Sequence, residues 1–271
     1  MPQKPVLQNT RPPAADVRQR FDRAAGHYDQ HAELYELVAD RLLGRLDGLH
    51  FKPQRIVDLG CGTGRHALTL RERFPDAQIL ALDCSPAMLH QSRRRRGRWR
   101  PRFELAQADY DALPLAQGSV DLVFANMSLQ WGASLANLLM GLRRIMRPDG
   151  MVLMTLPGPD TLAELKSAGA DLTVGQTTHA QELGDWLFNA GFQEPVLDTD
   201  WLTTSHSGLD TLLQDLSALG MDVTLQGTHE AFEKHLRQPG ENELISTWEV
   251  LYATAWSPGK LSGTGRTNRT T

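Results

Sequence analysis

A chain of 271 residues that is 41% apolar and 22% charged, with a formal net charge of −4, is long enough to bury one sizeable α/β core with an insertion or appendage. Two cysteines, Cys61 and Cys84, cannot build a disulfide framework, and the absence of a charged-then-apolar leader or a run of about 18 apolar residues leads us to expect a soluble, cytoplasmic protein with no membrane partner. His, Cys and acidic residues never fall at metal-ligand spacing and no internal repeat is evident, so neither a metal site nor a repeat array is expected.

In chain order, residues 1–15, with Pro2, Pro5, Pro12 and Pro13, read as a flexible arm. From Asp16 the apolar residues Val17, Phe21, Ala24, Ala25, Tyr28, Ala32 and Tyr35 recur at three- and four-residue steps, which predicts a helix lying across the sheet. A second helix, Leu37 to Leu46, leads through Gly48 to the apolar run Ile56, Val57, Leu59. That run breaks into Gly60, Gly62 and Gly64 and is followed by a helix from His66 to Phe74. Strand, glycine loop and helix N-terminus come in the order of a nucleotide-type site, although G-x-G-x-G alone is equally a tight strand-to-helix turn. The next strand, Gln78 to Leu82, ends on Asp83 about 20 residues beyond the glycines, where an adenosine ribose needs an acid; the plainer reading is that Asp83 begins a turn. Ser85 as N-cap and Pro86 at the first helical position start a helix. Further strand ends fall at Asp109 and at Asn126, the latter closing Val120 to Ala125. Four strand ends with polar or glycine-rich termini would line one edge of a parallel sheet, the place where open α/β folds hold ligands.

Met127 to Trp131 should then form part of the active-site floor, with Trp131 alternatively packing beneath the next helix, Ala136 to Met146. A turn at Arg147 to Gly150 leads into a fifth strand, Met151 to Leu156. Beyond it we expect helices Thr161 to Ser167 and Thr178 to Ala190, a strand Glu194 to Thr203, and helices Leu209 to Leu219 and Thr228 to Leu236 before a last strand, Ile245 to Trp256. The expected organisation is one domain over 16–256 with a helical lid at about 208–243, and a flexible Gly/Ser/Thr-rich tail over 257–271.

The segments VDLGCGTG, LALD, AQAD and VDLVFANMSLQW resemble, in order and spacing, the motifs of class I S-adenosylmethionine-dependent methyltransferases over roughly residues 51–156. The resemblance implies a doubly wound, mostly parallel seven-stranded sheet with capping N-terminal helices and S-adenosylmethionine as cofactor. By the same resemblance Asp58, Gly60, Gly62 and Gly64 would bind the cofactor, Gly60, Gly62 and the loop backbone holding its methionine part, with Asp83 at the ribose, Asp109 at the adenine amino group and Asn126 near the sulfonium. Phe21 to Asp29 and the W-x-V-x-Y-x-x-x-x-W end further resemble the biotin-pathway branch that esterifies the carboxylate of malonyl-acyl carrier protein. In that branch Tyr28, Gln130 and Trp131 would close over the reacting groups; Tyr35 departs from it, standing where many relatives carry glutamine. Gly158 to Leu165 and Asp198 to Asp200 look equally like a mitochondrial complex I assembly factor, so a protein-arginine hydroxylase or a silent assembly factor is the alternative.

Charge is polarised along the chain. Through Leu156 there are 22 Lys/Arg against 16 Asp/Glu, and beyond it 6 against 16, with seven arginines between Arg93 and Arg102. Such a run is ordinarily a solvated face, yet a basic catalytic half would steer an acidic partner. Nucleic acid would more often bring interleaved aromatics or an added binding module, and only Trp99 suggests the former, so nucleic acid is not expected; the acidic partner that the resemblance implies is acyl carrier protein.

Overall fold

The computed structural model describes residues 13–99, 101–237 and 243–259. Most of the expected arm, the tail beyond Gly259 and Arg100 in the arginine run lie outside the described residues.

Three helices precede the sheet: α1 (Ala14–Ala24), α2 (Tyr28–His31) and α3 (Glu33–Gly44). The single long helix expected from Asp16 to Tyr35 is therefore broken. Gly26, the weakest helix former in the stretch, sits exposed in a turn that His27 leaves with non-helical backbone (φ −127°, ψ 2°). The break lets Tyr28 face inward while α1 runs on its own path.

The sheet elements follow as β1 (Arg55–Leu59), α4 (Arg65–Arg73), β2 (Gln78–Asp83), α5 (Pro86–Arg95), β3 (Glu104–Gln107), β4 (Val120–Ala125), α6 (Leu135–Ile145) and β5 (Met146–Pro157). After these come α7 (Ala163–Ser167), β6 (Ala170–Thr173), α8 (Ala180–Asn189), β7 (Gln193–His206), α9 (Leu209–Ala218), β8 (Asp222–Leu225), α10 (His229–Leu236) and β9 (Leu244–Trp256). Seven strands make one sheet in the order β3-β2-β1-β4-β5-β9-β7. The first five are parallel to one another, and β9 runs antiparallel to both β5 and β7. The buried apolar runs of β1, β4 and β5 are what helices on both faces require of central parallel strands. Strand order reverses at β1, which pairs with β2 on one side and β4 on the other, so a crevice opens beyond the carboxyl ends of β1 and β4.

The region expected as a purely helical lid contains α9, β8 and α10, and β8 pairs antiparallel with β6 in a separate two-stranded ladder. Both strands are four residues long and only partly buried, too short for alternation to stand out in the sequence. The turn expected at Arg147 to Gly150 is part of β5, where Asp149 takes a positive φ of 60° and the register with β4 shifts.

Candidate active site

The loop after β1 is wound tightly against β2. The amides of Gly60 and Cys61 donate to the Leu82 carbonyl at 2.8 and 2.9 Å, and the Gly62 amide donates to Asp83 Oδ2 at 2.9 Å. Gly60 has φ +76° and a Cβ there would come 2.6 Å from Tyr110 Oη, with Ser128 closer still, so neither backbone nor space admits a side chain. At Gly62 (φ +52°) the space is open, its nearest neighbour being the Tyr28 ring at 3.9 Å. Gly64 opens α4 in left-handed conformation. The cavity above this loop is lined by Tyr28, Tyr35, Glu36, Gly60, Gly62 and Asn126, among others.

Asp83 ends β2 buried, its second oxygen accepting from the Ser85 amide at 2.8 Å. Burial outweighs these amide hydrogen bonds and pushes its carboxyl up to about 6. Asp58 is buried more completely; desolvation, with the neighbouring charge of Asp83, pushes it up to about 8, and its Oδ2 has no hydrogen-bond partner. Neither Asp58 nor Asp83 lines the cavity itself, but an orphaned buried acceptor on the strand that leads into the glycine loop suits a cofactor that brings a cationic donor, and the Gly62 space suits close approach of that cofactor to the backbone. The chemistry of these residues fits the methionine and ribose parts of S-adenosylmethionine, but the cavity itself, about 30 Å³, must open to admit them.

Asp109 is exposed and caps the short 3₁₀ turn that follows, accepting from the Asp111 amide at 3.1 Å; the preceding Ala108 amide donates to the Asp83 carbonyl at 3.1 Å, which sets Asp109 beside the end of β2. Asn126 lines the cavity, but its side chain is already committed, donating to the Tyr35 carbonyl and accepting from Thr155 Oγ1, both at 2.8 Å. It joins α3 to β5 across the crevice. Tyr28 stands over the glycine loop, and burial, with the charges of Asp83 and Asp29, raises its phenol. Gln130 and Trp131 are 0% and 1% exposed and are not among the residues lining this cavity. Trp131 packs edge-on against Phe21 with ring centroids 5.7 Å apart, and Gln130 Nε2 donates to the Met127 carbonyl at 3.0 Å. Each keeps one polar atom, Trp131 Nε1 and Gln130 Oε1, buried without a partner.

The sequence reading missed the groups that fasten the cap. Asp29 Oδ1 accepts from Thr63 Oγ1 at 2.6 Å and its Oδ2 from Arg95 at 2.5 Å, while Arg95 also donates to the Thr63 carbonyl at 2.8 Å. Burial opposes ionisation of Asp29, but the bonds from Thr63 and Arg95 outweigh it and hold the carboxyl below its usual range. Asp22 of α1 accepts from Ser85 Oγ at 2.6 Å and from the Ala87 amide at 3.1 Å, so α1 helps cap α5. His66, beside the loop, is pushed down to about 4 by burial and then by Arg65 and Arg95. Glu36 pairs with Arg65 at 2.6 Å at the cavity's edge. Asp22 on α1 and Asp29 on α2 were the available signal; nothing local identified their partners.

A family model described as "Methyltransferase domain" matches residues 56–150. The malonyl-(acyl-carrier protein) O-methyltransferase of Xylella fastidiosa (strain M23) is 39% identical over 260 residues, covering 89% of this chain and 87% of its own length. That of Laribacter hongkongensis (strain HLHK9) is 38% identical, covering 89% of each. Among solved structures, phosphoethanolamine N-methyltransferase 2 of Haemonchus contortus, in complex with phosphomonomethylethanolamine and S-adenosylhomocysteine, superposes with a TM-score of 0.61 at 16% identity over 89% of this chain and 60% of that one. A SAM-dependent methyltransferase of Thermotoga maritima gives 0.55 at 16% identity over 89% and 99%. At such identities these structures bear on the fold alone.

Proposed function

The chain belongs to the malonyl-(acyl-carrier protein) O-methyltransferase family, and from that premise we propose that it transfers the methyl group of S-adenosylmethionine to the free carboxylate of a malonyl thioester on acyl carrier protein. It is an S-adenosylmethionine-dependent O-methyltransferase, and the bound sulfonium supplies an activated methyl group with a neutral thioether as leaving group. One O–CH₃ bond forms as one S–CH₃ bond breaks, and a carboxylate anion and a sulfonium cation become an ester and a thioether. No proton moves, so no general base is needed; alignment and exclusion of water remain as the protein's task.

The observation that carries the reading is the arrangement of buried acids around an open glycine loop: Asp58 with its orphaned oxygen, Asp83 fixed by the Gly62 and Ser85 amides, and Tyr28 over Gly62. In our reading Gly60, Gly62 and Asp58 take the methionine part, Asp83 the ribose hydroxyls and Asp109 the adenine end. Tyr28 covers the reacting atoms, whereas Gln130 and Trp131, fully buried and outside the cavity lining, support the floor from behind through Met127 and Phe21 and do not face them. Asn126 acts by positioning, because its own hydrogen bonds tie α3 to β5. Incubation with methyl-labelled S-adenosylmethionine and malonyl-carrier protein should place label in a base-labile ester on the carrier. Unlabelled carrier would reject this reading in favour of the hydroxylase or assembly-factor alternative.

A further inference from the structure

We propose that the acidic carrier protein docks across the turn joining α1 to α2, with the phosphodiester of its prosthetic arm held by Arg23 and His27 at the mouth of the cleft between these helices and α9. The proposal rests on the reading above and locates the partner that reading requires.

The cleft is a cavity of about 510 Å³ whose lining includes Arg20, Arg23, His27, His31, Gln214 and Asp222. Its acids are already engaged: Asp222 pairs with Arg20 at 2.6 Å, and Asp215 behind the wall pairs with His31 at 2.5 Å and His206 at 3.1 Å. Arg23 and His27 are exposed, and their side chains have no ionic or hydrogen-bonded partner among the described residues. On the other side of the same turn a second cavity, about 400 Å³, is lined by Ala25, Gly26, His27, Gln91 and Arg94 among others, and Arg94 is likewise exposed and unpaired among the described residues. His27 lines both, so Arg23, His27 and Arg94 make one basic rim.

Position supports the assignment. His27 and His31 line the cleft, whereas Tyr28 and Ala32 line the cavity over Gly62, so α2 alone separates the two. An arm laid in the cleft has one short helix to pass before its thioester reaches the glycine loop. Arg18, Arg93 and Arg98 are exposed too but line neither cavity, and several other arginines are already engaged. Arg95 is held by Asp29 and Thr63, and Arg96 donates to the Phe103 carbonyl at 3.3 Å. Arg143 and Arg144 donate to the carbonyls of Gly191 and Leu115, each at 3.3 Å, and Arg147 pairs with Asp121 at 3.0 Å. A phosphodiester and an acidic protein surface both need cations not already neutralised.

Three malonyl thioesters separate the parts of the proposal: the carrier-linked form, the free phosphopantetheine thioester, and the N-acetylcysteamine thioester that lacks both protein and phosphate. With Arg94→Glu, KM for the carrier form should rise about 5- to 50-fold and its dependence on ionic strength should flatten, with both small thioesters unaffected. With Arg23→Glu, KM should rise for the carrier and phosphopantetheine forms alike and stay unchanged for N-acetylcysteamine. Affinity for S-adenosylmethionine and the melting temperature should hold in both; if a reversal fails to fold, Arg94→Gln and Arg23→Gln carry the same comparison at reduced size. Unchanged KM values for the carrier form, or equal losses on all three thioesters, overturn the docking site. Wild-type protein that methylates none of the three rejects the methyltransferase reading itself, a different result from a wild type that works and variants that do not respond.

Discussion

Asp58 is buried on the strand below the glycine loop and is not among the residues lining the cavity, so its charge tests whether a bound cofactor reaches it. Burial and Asp83 push it up to about 8 in the cofactor-free fold, so at pH 7 it mostly carries a proton, and a cationic ligand beside its orphaned Oδ2 favours the carboxylate. Binding of S-adenosylmethionine at pH 7 should therefore release close to one proton. Calorimetric titrations in phosphate and in Tris should give apparent enthalpies differing by nearly the full difference in buffer ionisation enthalpy, and Asp58→Asn should remove that difference. Equal enthalpies for the wild type would mean that Asp58 is not at the cationic part of the ligand. Asp83→Ala should weaken binding by on the order of 100-fold, since two hydrogen bonds to a charged group at ~1.5 kcal/mol each disappear, and Asp83→Asn should be milder; unchanged affinity removes Asp83 from the site. Asp83 and the glycines were legible because strand, loop, helix and second strand end are adjacent in sequence and each leaves its own local mark. The facing of Gln130 and Trp131 was not. A polar and an aromatic residue after a strand look alike in sequence whether they face a ligand or Phe21, and only the fold shows both fully buried.

Helix α2 has four residues and no side-chain cap, so it cannot hold its shape by itself. What fixes it is the Asp29–Thr63–Arg95 group, which fastens it to the glycine loop and to the end of α5. Asp29→Ala should leave the sheet intact but free α2: amides of residues 28–31 should exchange faster with solvent, and cofactor affinity should fall roughly 3- to 30-fold, the loss of about 1–2 kcal/mol expected of a half-exposed charged cluster. Unaltered exchange in these residues would show that α2 is held by packing instead. Local chemistry made some elements readable. Ser85 does cap α5, accepting from the Met88 amide at 3.1 Å with Pro86 in the first turn. The clamp was invisible because its partners lie 32 to 66 positions apart in the chain. The β6–β8 ladder escaped for a related reason: its four-residue strands pair residues some fifty positions apart, Ala170 with Leu225 and Thr173 with Asp222.

Across the whole molecule, buried ionisable groups set a stability profile that the cofactor should reshape. Asp58 is held above its unfolded value of about 4, so the folded chain keeps a proton that the unfolded chain has lost, and stability is gained as pH falls toward and through about 8. His66, held near 4, and His206, lowered by burial against the pull of Asp215 and Glu243, act in the opposite sense: below about 6.5 the unfolded chain takes protons that these buried rings refuse. From about pH 6 downward Asp83 offsets part of that loss, its carboxyl standing at about 6 in the fold. Melting temperature of the cofactor-free protein should accordingly rise as pH falls from 8.5 to about 6.5, then level off rather than climb. With saturating S-adenosylmethionine Asp58 is ionised in the complex, so its share of the slope above 6.5 should vanish and the gap between the two melting curves should widen steadily with pH. Scanning calorimetry with and without cofactor at half-unit steps from pH 6 to 8.5 measures both curves. A cofactor-free maximum at pH 8 or above, or a gap that does not change with pH, would show that Asp58 is ionised in the empty fold and that the cavity is wetter than its burial implies.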